Sequence, residues 1–216
     1  MEITGLLKEA IAALKRRRNL IVFFALAHIV FLFFGQWAVM KGIPAVVELR
    51  QELLKEIQTL AYLKPLTGAL ADSLALKILY TFFFNLLLGA FLSTTVTGMV
   101  IFFLPYVIAV WRSFTVGLLF YGLDSVVEKS VVFYGTFILE FAAYSISSAA
   151  GTDMGLSFIW PKRKAVLSRR EAFGIAARDS VRLYIIVALL LFIGAVWEMG
   201  WLEVIGPLID STGAPS

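Results

Sequence analysis

Between Leu74 and Leu123 the chain carries only two charged side chains, Lys77 and Arg112. A soluble domain has nowhere to bury so long a run, whereas lipid accepts it and a helix satisfies its own backbone groups there. Composition agrees. Hydrophobic residues make up 60% and charged residues 16%, against about 45–50% and about 25% in soluble domains. Mean hydropathy is +0.88. The chain reads as an all-α integral membrane protein.

A crossing needs about 20 mostly apolar residues. The first runs over 19–40, after the basic segment 1–18, which ends in Lys15-Arg16-Arg17-Arg18. That run is long for a signal peptide, and Gln36-Trp37-Ala38-Val39-Met40 offers no small-x-small cleavage site, so it reads as a retained anchor. Residues 41–73 break the apolar pattern. Val46, Leu49, Leu53, Ile57 and Leu60 recur at spacings of three and four behind Pro44, and Lys64-Pro65 ends the run. This predicts an amphipathic extracytoplasmic helix, with Asp72 or Ser73 capping the next one.

The core, 74–201, divides at Thr94-Thr95-Val96-Thr97-Gly98 into spans over 74–96 and 98–111. Residues 114–122 are too few to cross and predict a re-entrant half-helix. Asp124, Glu128 and Lys129 make a polar loop, and further spans follow over 131–160 and 183–201 around a basic linker, 161–182. The expected architecture is a polytopic bundle of about five full spans plus the half-helix, with amphipathic surface helices. Twelve of the 19 Lys and Arg precede the first span or lie between the last two, and the tail 202–216 has none. Basic segments stay cytoplasmic, so the expectation is a multi-pass cell-membrane protein with its N-terminus inside and its C-terminus outside.

Several chemistries are excluded. The chain has no Cys and one His, His28, which leaves no disulfide, no thiol nucleophile and no His- or Cys-rich metal site. Walker, Gly-x-Ser-x-Gly and His-Glu-x-x-His motifs are absent. Tyr121-Gly122-Leu123-Asp124 and Gly151-Thr152-Asp153 faintly echo intramembrane aspartyl proteases, but the first Asp lies in a loop and the second near a span end. The expectation is a non-enzyme without cofactor or metal, whose partners are the bilayer and proteins. The basic residues track sidedness, not nucleic acid.

Polar residues inside the apolar runs each need a reason. Glu140 is central. Thr136, Glu140, Tyr144, Ser147 and Gly151 fall along one side of its helix, and Phe137, Ile138, Phe141 and Ile146 along the other. A second row, Lys77, Thr81, Asn85, Gly89, Ser93 and Thr97, steps by four and winds round its helix as a ridge. The two rows are expected to pack together, with Lys77 snorkelling to the interface. Three roles stay open for them: hydrogen-bonded packing, a proton or ion path through Glu140, or a dimer contact. Ser168-Arg169-Arg170-Glu171 has capping-box spacing. Arg16, Arg17, Arg18, Lys162, Arg163, Lys164, Arg169 and Arg170 are expected at the lipid headgroups.

The ordered set Phe84-Asn85, Gly89, Gly117, Gly135 and Glu140 (in Gly-Thr-Phe-Ile-Leu-Glu), Gly151, Gly155, Arg169-Arg170-Glu171-Ala172 and Arg178-Asp179-Ser180-Val181-Arg182-Leu183-Tyr184 resembles the stage II sporulation protein M family, in particular an archaeal member. Two positions depart from the pattern. Arg112-Ser113 stands where the family has Asn-Gly, and Phe133-Tyr134-Gly135 where it has Pro-His-Gly. The resemblance implies a non-enzymatic scaffold that self-associates, with a dimer favoured, and recruits envelope-remodelling partners. A channel or transporter using Glu140, Asn85 and Tyr144 is the alternative.

Overall fold

The computed structural model describes residues 3–57, 59–61, 63–122 and 127–211, and among them every regular element is helical. Helices α1 (Ile3–Arg16) and α2 (Arg18–Met40) are separated only by a break at Arg17. Then come α3 (Pro44–Ile57) and a single turn, α4 (Lys64–Thr67). A continuous rod follows, made of α5 (Leu74–Phe84), a π-helical segment (Asn85–Val96) and α6 (Thr97–Val100). Helices α7 (Leu104–Leu119), α8 (Val127–Ile159) and α9 (Arg169–Ser211) complete the chain, with a 3-10 turn at Pro161–Lys164. Four stretches are long and apolar enough to cross a membrane: Arg18–Met40, Leu74–Val100, Lys129–Ile159 and Arg169–Val204, with Leu104–Leu119 as a shorter apolar helix.

The expected division of 74–123 is therefore corrected. The helix does not turn at Thr94–Gly98 but runs on to Val100, and Ile101 is extended, with φ −130° and ψ 96°. Pro105 lies in the first turn of α7. Proline fits that position and clashes with a helix continuing from before it, so Pro105 sets the break and the threonines do not. Residues 98–111 form no separate span, and Phe114 to Leu119 is the end of α7, not a re-entrant half-helix. Of the expected polar loop, Asp124 lies outside the described residues. From Arg169 on, the basic linker and the last span are likewise one helix, α9. Its start is capped as expected, with the Glu171 amide donating to Ser168 Oγ at 3.4 Å, and Ser73 caps α5 through the Leu76 amide.

The π-helical stretch is long for a conformation that occurs mostly as single turns. Ser93, Thr94 and Thr97 hydroxyls donate to the Gly89, Ala90 and Ser93 carbonyls, the back-bonding that bends helices. A step of four overshoots a full turn in an α-helix but falls short of one in the wider π form. The ridge predicted to wind round the rod therefore stays on one side. Its most deeply buried members, Ala90, Thr94 and Gly98, lie one residue beyond the predicted row.

Helix α8 is the hub. Every residue from Ala143 to Ser157 is buried, and most are Ala, Ser, Gly or Thr. A Cβ on Gly151 would stand 2.6 Å from the Thr94 carbonyl oxygen, and one on Gly155 would run into the Gly98 carbonyl. The backbones of α8 and the rod thus touch, as small-xxx-small pairs allow. Helices α2 and α7 meet the same way, Gly35 against the Phe114 carbonyl and Gly117 against that of Leu32. Helix α9 lays Ala172, Ala176, Leu183, Val187, Leu191 and Ala195 into the core. The predicted second side of α8 is corrected: Phe137, Phe141 and Ile146 are buried, and only Ile138 of that set faces outward.

At the bundle's other end, Arg50 of α3 donates to the Leu118 and Tyr121 carbonyls at 2.8 and 3.0 Å, where the end of α7 leaves carbonyls without amide partners. No residue of α3 is fully buried, and its apolar face, with Val46, Leu49 and Leu53, is half-buried.

Gly151→Ala is expected to cost about 1–3 kcal/mol, because the added methyl meets backbone that cannot move aside. Gly174→Ala, with open space at its Cβ, is expected to be neutral or to stabilise by about 0.5–1 kcal/mol. Thermal unfolding of the two variants in the same micelles checks the contrast; equal effects would contradict the close crossing.

Candidate functional site

Two clusters of polar residues lie at different levels of the bundle. The inner one joins the rod to α7 and α8. Asn85 Nδ2 donates to Glu140 Oε1 at 2.5 Å, and Tyr144 follows Glu140 by about one turn on the same helix. Arg112 reaches in from α7, donating to Ser93 Oγ at 2.8 Å and to the Gly89 carbonyl at 3.3 Å, and its guanidinium sits 4.3 Å from the centre of the Tyr144 ring. Gly89 makes room for that ring, since a Cβ there would stand 2.8 Å from the Tyr144 hydroxyl. Beyond Tyr144, Ser147 pairs with Thr94 at 2.7 Å, and Thr95 donates to the Ser147 carbonyl at 3.0 Å.

Glu140 also lines a cavity of about 540 Å³ between α7, α8 and α9, together with Thr136, Lys129 and Glu198. Helix α9 runs antiparallel to α8 there: Gly194 faces Glu140, while Trp197 packs on Gly135 and donates to the Val132 carbonyl at 3.3 Å. Glu198 therefore stands between Glu140 and Lys129 along the cavity. The rings of Phe120, Phe133, Phe137 and Phe141 supply much of the rest of the wall.

The outer cluster holds four elements together. Arg17, 4% exposed, donates through Nε to Asp153 Oδ2 at 2.9 Å and through Nη1 to Asp179 Oδ2 at 2.6 Å. Its Nη2 lies 2.7 Å from the same Asp153 oxygen without hydrogen-bond geometry. Arg16 binds Asp179 with two bonds of 2.6 and 3.1 Å, Lys164 reaches Asp153 at 2.8 Å, and Arg182 joins Asp179 to Glu9. A desolvated guanidinium this close to two carboxylates is held only because both satisfy it.

The predicted residues separate accordingly. Glu140, Asn85, Tyr144, Gly89 and Ser93 meet in the inner cluster, and Ser147 pairs farther along α8. Thr136 faces the cavity side, its hydroxyl buried without a hydrogen-bond partner. Arg18, Lys162, Arg163, Arg169 and Arg170 are exposed. Arg17 is corrected: it is buried in the ion-pair cluster, and Arg16 and Lys164 also pair there. Lys77 pairs with Glu203 at 3.0 Å. His28 Nδ1 lies 2.6 Å from Ser113 Oγ, packed edge-on against Phe141.

The sequence reading missed Glu198, although a carboxylate inside the last span is the signal that singled out Glu140. It counted Arg112 as a charge and gave it no role. Nothing local pairs Asp153 and Asp179 with Arg17, which is more than 130 positions away in the chain.

The family model described as Stage II sporulation protein M matches residues 20–201, and the chain belongs to that family. The match does not bear out an archaeal assignment. None of the curated proteins and none of the solved structures compared with the chain matches it.

Arg17→Met is expected to destabilise the protein by about 3–5 kcal/mol, because it leaves two carboxylates short of a buried partner. Arg18→Met, one position on and exposed, should stay within about 0.5 kcal/mol. Denaturant unfolding in micelles separates the two, and a tolerated Arg17→Met would show that the cluster does not hold the helices together.

Proposed function

We propose that this member of the stage II sporulation protein M family is a non-enzymatic membrane scaffold that self-associates and recruits envelope proteins. One observation carries the reading: α8 is packed on all sides from Ala143 to Ser157, and the Arg17 cluster closes that end. The cavity therefore stops at Glu140, and among the described residues no continuous polar route runs the length of the bundle. The Glu140 and Asn85 rows are spent on each other within one chain, so self-association uses a different face.

The scaffold crosses the membrane five times, by α2, the rod, α7, α8 and α9, with its N-terminus cytoplasmic and its C-terminus outside. Helix α7, about 24 Å long, is short for a core of about 30 Å, a mismatch met by local thinning. The two basic segments meet at one end of the bundle, where Arg16 and Arg17 share Asp153 and Asp179 with Lys164 and Arg182. This supports a common cytoplasmic side for them. The cavity shared by Glu140 and Glu198 favours a second reading, transport with Glu140 as the ion-binding group.

The absence of native cysteine makes topology directly testable. Gly5→Cys should react with an impermeant maleimide only after the membrane is opened, and Ser216→Cys in intact cells; the reverse pattern overturns the orientation. In proteoliposomes, wild type and Glu140→Gln should both pass no protons or monovalent cations, while crosslinking captures a self-associated species. Flux that depends on Glu140 would replace the scaffold by a transporter.

A further inference from the structure

The cavity contains an imbalance that neither cluster resolves. Two carboxylates, Glu140 and Glu198, line it one helical turn apart. Glu140 receives a hydrogen bond from one neutral group, Asn85. Arg112, the cation on that side, is committed to Gly89, Ser93 and the Tyr144 ring. Glu198 makes no hydrogen bond or ion pair with any described residue. Lys129 lines the far end of the cavity and bridges to neither acid. A carboxylate at such depth without a cation is costly.

We propose that this cavity binds an organic cation, an ammonium group carried on a single apolar chain. Its volume of about 540 Å³ lies in the range of small-molecule sites, about 300–1,000 Å³. Hard metal ions need six or more oxygen ligands, and the described residues bring no three ligating side chains together. An ammonium group needs less. One carboxylate, Glu198, balances its charge, and phenyl faces attract it through their quadrupoles. The remaining wall of Phe, Val and Leu takes the chain. Entry is past Lys129 and Leu202, some 16 Å along α8 from Glu140. The site stands whether the protein is a scaffold or a transporter, because binding is read without flux.

Octylammonium, octanol and octanoate, titrated into the purified protein in a neutral detergent, test the proposal by calorimetry and thermal shift. Octylammonium should bind at least about tenfold more tightly than the other two and raise Tm. Glu198→Gln should remove that preference and raise the unliganded Tm, because it removes a charge that has no cation. Should that variant fail to fold, Phe137→Leu, which keeps an apolar wall but removes a ring face, should lower octylammonium affinity and spare octanol. Phosphatidylethanolamine added to the micelles separates two sources of the ammonium group. Competition assigns the site to a lipid headgroup, and its absence to a free amine. Equal binding of octylammonium and octanol, or a preference that survives in the folded variants, overturns the proposal, as does no binding at all.

Discussion

Contact between bare backbones at the crossing of α8 and the rod is the constraint on which the other contacts depend. In lipid, burying an apolar side chain against another helix gains little over leaving it in acyl chains, so helices associate by close packing and hydrogen bonds. Gly98, Gly151 and Gly155 remove the side chains that would hold the helices apart. Only then do the Thr94–Ser147 and Thr95–Ser147 bonds reach across. Only then does Asn85 meet Glu140, about three helical turns away. The π-helical segment serves the same contact by keeping a four-residue row turned toward α8.

Charge fixes the ends of the bundle in different ways. At one end Arg17 is desolvated between Asp153 and Asp179, and four separate elements converge on it. At the other, Arg50 and Lys77 make lighter contacts with α7 and with Glu203. A closed end of paired charges and a cavity that leads only as far as Glu140 fit a protein that holds a shape more readily than one that opens a path.

Much of this was legible in the chain itself. Long apolar runs separated by basic segments are bilayer-scale signals that need no knowledge of neighbours, and Glu140 and Asn85 stood out because polar groups in such runs are rare. The turn near residue 100 was misplaced because hydroxyl-rich Thr94–Gly98 looks like a loop locally. Those hydroxyls bond inward to α8 and to their own carbonyls, and the break falls instead at Ile101, just ahead of Pro105. Arg17 was read as one of a basic row because nothing beside it in sequence distinguishes it from Arg18.

Helicity, suitability for a membrane and the residues that carry polarity into the apolar runs are all readable from the chain alone. All three follow from composition and spacing over a few turns of helix. That α8 is the hub, that Glu198 shares a cavity with Glu140, and that Arg17 is buried while Arg18 is not are set by how the helices pack. Each of those depends on which helices lie side by side, a relation between residues tens to more than a hundred positions apart that no local pattern encodes.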